Sequence, residues 1–97
     1  MTWPFQVPPA TAVVTTTYVT RDRLPILVVW RELGEDDDDL WQFHSGNGDY
    51  DPSKLQLVRL DEIVGLDPTV RDLPHLAVGQ AARRAAIGQP WAVTTEH

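Results

Sequence analysis

The chain predicts an α+β domain built on a mainly antiparallel sheet of about five strands, with short C-terminal helices packed on one face. Three observations carry this expectation. Segments rich in β-branched and aromatic residues recur through the first two thirds of the chain. Short polar stretches dense in turn-forming residues separate them. Helix-favouring residues gather only after residue 60.

Residues 1–9, MTWPFQVPP, hold three prolines and form an extended N-terminal arm, with Trp3 and Phe5 available to pin it to the body. The single α+β domain then runs over residues 10–97. Residues 10–20, ATAVVTTTYVT, suit a pleated strand and penalise helix. After the polar turn Arg21-Asp22-Arg23, residues 24–31, LPILVVWR, are apolar on both alternating faces, as in a central strand, with Pro25 tolerable only near its start. Residues 40–45 alternate, Trp41 and Phe43 on one side and Gln42 and His44 on the other, which marks a half-buried strand. An exposed loop follows at residues 46–52, then a fourth strand at 55–59. Asp61 and the pair Asp67-Pro68 each supply a start signal for a short helical turn. The run VGQAARRAAI at 78–87 predicts a helix stopping at Gly88, and residues 91–94 read as a last strand. Trp30, Trp41 and Phe43 are expected in the core.

Composition narrows the function classes. A chain of 97 residues fits one domain and buries roughly 60 to 65% of the surface its unfolded form exposes. Without cysteine it has no disulfide, thiolate metal site or cysteine nucleophile. Its apolar runs fall far short of the roughly 20 residues that span a bilayer, and no basic-then-apolar leader opens it, so the expected location is the cytoplasm. A formal net charge of -6 repels phosphate backbones and anionic lipid headgroups while steering a basic protein toward the surface. The partner expected is therefore a protein, neither nucleic acid nor membrane.

The acidic run Glu35-Asp36-Asp37-Asp38-Asp39 sits between two strand-like segments. An EF-hand calcium loop needs Gly at its sixth position and Glu at its twelfth. Counting from Asp36 these places hold Trp41 and Asn47, and counting from Asn47 they hold Pro52 and Val58, so the pattern fails in both registers. Two readings lead, a solvated cap on a hairpin and an acidic docking loop that accelerates encounter with a basic protein, with loose adventitious calcium binding as a minor third. They are compatible, and Glu35, Asp36, Asp37, Asp38, Asp39, Asp49 and Asp51 are the candidate partner-contact residues.

No catalytic set emerges. His44 and Ser45 are neighbours in a strand and point to opposite faces, so they cannot act as base and nucleophile for one another. His75 and His97 have no triad spacing and read as surface or rim residues. Gly46-Asn47-Gly48 lacks the Lys-Ser/Thr pair and following helix of a phosphate cradle. Arg83-Arg84 on the last helix could contact an acid elsewhere or face solvent, and solvent is the expectation. No metal ligands or cofactor motif are expected, and the chain is expected not to be an enzyme.

Several short pieces, in order along residues 13–93, resemble a small bacterial family. They are Trp41-Gln42-Phe43-His44-Ser45-Gly46, Leu60-Asp61-Glu62-Ile63, Leu66-Asp67-Pro68, Leu73-Pro74 and Val78-Gly79-Gln80-Ala81-Ala82-Arg83. The family was first described as a domain of unknown function and then predicted to comprise immunity proteins of polymorphic toxin systems. The resemblance implies an α+β fold and a non-enzymatic role in which the protein neutralises a toxin by masking it, with no catalytic residue carried over. The competing expectation is a structural or regulatory interaction module, self-associating or bound to another partner.

Overall fold

The computed structural model describes residues 3–34, 38–49 and 51–95. Among them it forms an α+β fold on a mainly antiparallel, six-stranded sheet. The strands are β1 (Ala12–Thr16), β2 (Val28–Leu33), β3 (Asp39–His44), β4 (Leu55–Arg59), β5 (Gln80–Arg83) and β6 (Ala92–Thr95), in the spatial order β4-β1-β3-β2-β5-β6. All neighbours are antiparallel except β1 and β3, which run parallel with Val14 beside Gln42.

Directly paired residues share a sheet face. One row therefore crosses all six strands: Leu57, Val14, Gln42, Trp30, Ala81 and Thr94. The opposite face carries Val13, Thr15, Trp41, Phe43, Val29 and Ala82, all buried. Covering it are the helix α2 (Leu60–Leu66), through Leu60 and Ile63, the 3-10 segment Pro68–Asp72, through Val70, and the loop residues Leu73 and Leu76. The N-terminal arm completes the cover: Phe5 meets Trp41 edge to face at 5.4 Å, and Trp3 packs against Phe5. Among the described residues no helix is long and apolar enough to cross a membrane.

Several expectations need correction. The first strand stops at Thr16, and Thr17–Thr20 form a single helical turn, α1. Its strand partner runs out there, since Thr16 pairs with Leu55, the first residue of β4; β-propensity cannot extend a ladder that has no neighbour. Asp61 does not cap α2. The first amides of that helix, on Leu60 and Asp61, donate to Thr11 O and to Pro9 O at the end of the arm, and Asp61 pairs with Arg59. Asp67 does cap the following turn, accepting from Thr69 N with Pro68 in first place.

The predicted helix at 78–87 does not form, and its residues Gln80–Arg83 are the strand β5. Ala81 and Ala82 are fully buried in β5, between β2 and β6, where backbone pairing on both sides outweighs the helix preference of alanine. Gly79 and Gly88, with φ of 87° and 89°, bracket this segment, a conformation natural to glycine. α2 and the 3-10 segment Pro68–Asp72 thus lie between β4 and β5, with two strands after them, and Arg84 is buried where solvent exposure was expected.

Candidate functional site

The second sheet face is only partly open among the described residues: Val28, His44 and Ala81 on it are buried, and its exposed part is the surface available for recognition. Leu57 is 72% exposed and Leu55 40%, both on β4, and Val14 lies beside Leu57 on β1. Across β3 and β2 the same face becomes polar and aromatic, through Gln42, His44, Trp30 and Glu32. Trp30, Glu32, Gln42, His44 and Leu55 line a concavity of about 400 Å³. Trp30 is thus half-buried on this face, outside the core that Trp41 and Phe43 occupy.

A chain of polar contacts orders the concavity. Gln42 Nε2 donates to Glu32 Oε1 at 2.5 Å, and Gln42 Oε1 lies 3.0 Å from His44 Nε2. A carboxylate only accepts, so the amide NH2 must face Glu32, the amide oxygen faces the imidazole, and His44 donates from Nε2. Glu32 thereby selects the tautomer of a histidine on the neighbouring strand. His44 is only 2% exposed, with the Trp30 ring edge-on at 4.6 Å, and burial lowers its pKa to about 4. The ring is neutral at physiological pH. Strand alternation set His44 beside Gln42, away from the core face of β3, yet the ring is sealed on that side as well.

The seven candidate acids do not form one cluster. Glu35, Asp36 and Asp37 lie outside the described residues, as does His97. Asp38 is exposed, and its carbonyl receives Gly34 N at 2.7 Å, closing the β2–β3 connection. Asp39 is bound to Arg31 by two parallel hydrogen bonds of 2.9 and 2.8 Å, while Arg31 also donates to Leu76 O and stacks over Trp41. It therefore has a structural task, anchoring a covering loop to the sheet.

Asp49 and Asp51 lie beyond the other end of β3, and a six-residue strand separates the two acidic regions by about 20 Å. Asn47, Asp49 and Asp51 each accept the backbone N–H two residues ahead, a run of Asx turns that uses their side-chain oxygens to shape the loop. The Tyr18 hydroxyl also donates to Asp49, which lowers the Asp49 pKa and raises that of Tyr18. Hydrogen bonds from Ser53, chiefly its backbone N–H, lower the pKa of Asp51. Both carboxylates are ionised at neutral pH. Among the described residues no group of three or more His, Asp or Glu is placed to hold a metal ion.

A second concavity, of about 460 Å³, lies beside Trp91, Arg84, His75 and Asp72. Its arginine is already neutralised by Asp67 and also donates to Thr69 Oγ1 and Ile26 O, so it offers a ligand little uncompensated charge. The Trp30 concavity was missed from sequence because it is assembled by the pairing of β2 with β3 and by Leu55 of β4, which no local pattern places together. Alternation placed Gln42 and His44 on one face, but only pairing brought Trp30, Glu32 and Leu55 beside them.

Comparison of the chain with protein-family models, with curated proteins and with solved structures finds no match in any of the three.

Proposed function

We propose that this is a non-enzymatic protein-binding domain that uses its open sheet face to mask a basic partner, as an immunity protein masks a toxin domain. The observation that carries the reading is the asymmetry of the sheet. One face is sealed by the arm, α2 and the loops, while the other presents Leu57, Leu55 and Val14 beside an aromatic and acidic concavity. Apolar area supplies affinity and surrounding carboxylates supply steering, the division of labour common in protein interfaces. The net charge of -6, with ionised acids beyond one end of β3, favours a basic partner over nucleic acid or an anionic membrane. The resemblance of the Trp41-to-Arg83 pieces to predicted immunity proteins supports the same reading.

The experiment is co-expression with the products of flanking genes, scored for rescue from toxicity and for a purified complex. Rescue that is lost with Leu57→Lys supports the proposal. Absence of any complex, or rescue indifferent to Leu57→Lys and to removal of the acids, overturns it. The alternative, a structural or regulatory module that assembles with itself, draws support from β4, an edge strand without proline that carries two exposed leucines. It predicts a concentration-dependent dimer that Leu57→Lys dissociates.

A further inference from the structure

We infer that the concavity on the open face receives an arginine side chain of the basic partner, with the guanidinium on the Glu32 carboxylate and its plane against Trp30. This rests on the reading of that face as the contact surface. Glu32 and Trp30 are two positions apart on β2 and point to the same side, so a carboxylate and an aromatic ring share one concave site. Among the described residues no cation sits on Glu32. Arg31 is paired with Asp39, Arg59 with Asp61 and Arg84 with Asp67.

One Glu32 oxygen accepts from Gln42, and a carboxylate has further lone pairs for an incoming donor. The Gln42 amide cannot turn to compete, because its oxygen is held by His44 Nε2. The neutral imidazole adds no positive charge to repel a cation. Leu55 forms an apolar wall, suited to the aliphatic stem of a long basic side chain. Arginine fits better than lysine because its planar, delocalised cation can stack on an indole while donating two hydrogen bonds to a carboxylate, whereas an ammonium is more strongly hydrated.

The test titrates the purified chain with Nα-acetyl-arginine-N-methylamide and with its citrulline and lysine counterparts. The Trp30 indole and Gln42 side-chain amide signals are followed by NMR. Saturable shifts at both groups are expected for the arginine probe, with binding at least about tenfold weaker for uncharged citrulline and for Glu32→Gln. Because Glu32 is exposed, Glu32→Gln should melt with the parent, and Trp30→Leu gives an independent loss of stacking. Equal shifts with arginine and citrulline, unchanged binding by Glu32→Gln, or shifts centred on Asp49 and Asp51 would each overturn the inference. Equal affinity for the lysine probe overturns the choice of arginine. If the probe fails while Leu57→Lys still abolishes partner binding, the inference fails and the proposed function stands; indifference of the partner to Leu57→Lys removes that function itself.

Discussion

Arg84 Nη2 lies 2.7 Å from Asp67 Oδ2, with the two side chains only 1% and 7% exposed. The pair joins β5 to the 3-10 segment behind α2. Its remaining donors reach Ile26 O and Thr69 Oγ1, and the Trp91 ring lies 4.1 Å from the guanidinium carbon. Removing one partner strands a buried charge. Arg84→Leu is expected to cost about 3–5 kcal/mol, whereas adding Asp67→Asn should recover part of the loss by replacing the stranded carboxylate with a neutral cap. Denaturant unfolding of the two singles and the double reads this coupling, and strictly additive losses would refute it.

His44 makes stability depend on pH in a window of its own. Its folded pKa of about 4 lies below the ordinary 6.5, so the unfolded chain takes up a proton first as pH falls. The stabilisation is fully present above about pH 6.5 and is lost progressively toward pH 4, by up to roughly 3 kcal/mol. Charged groups on the same sheet face are Glu32, reached through Gln42, Arg83, beside Val28 on β5, and Arg59, beside Ala12 at the β4 edge. His44→Gln should flatten the pH 4–6.5 slope. The loss contributed by Asp49 and Asp51 sets in lower, below about pH 4, because their folded pKa values are depressed, and it should persist in that variant.

The acidic connection should separate into two behaviours. Replacing Asp36, Asp37 and Asp38 with Asn is expected to slow association with a basic partner at low salt and to leave thermal unfolding unchanged. Asp39→Asn breaks a half-buried bidentate pair and should cost about 1 kcal/mol. Association rates across a salt series, with melting as control, test both. A triple variant that destabilises the fold as much as Asp39→Asn would contradict this separation.

Leu57→Lys should change stability by no more than about 0.5 kcal/mol, because the side chain is mostly in water. Phe43→Ala, at a fully buried position, should cost about 3–5 kcal/mol. Partner affinity should reverse the order: weakened by Leu57→Lys, and preserved in Phe43→Ala wherever that variant remains folded. Calorimetric binding alongside denaturant melts compares them directly.

The sequence by itself determined the fold class, the alternation of Trp41 and Phe43 against Gln42 and His44, the loop at 46–52 and the Asp67-Pro68 turn. These are local properties: side-chain period, β-branching, capping oxygens and a fixed proline φ act within a few residues. Only the tertiary structure decided that 80–83 is a strand, that Thr17–Thr20 leave the sheet, that Arg84 meets Asp67, and that Trp30 and Glu32 share a concavity with His44 and Leu55. Each of these depends on a neighbour distant in sequence. Ala81 and Ala82 favour a helix in isolation, but between β2 and β6 their backbone groups pair on both sides and their small side chains are fully buried, so the edge offered by β2 outweighs intrinsic preference.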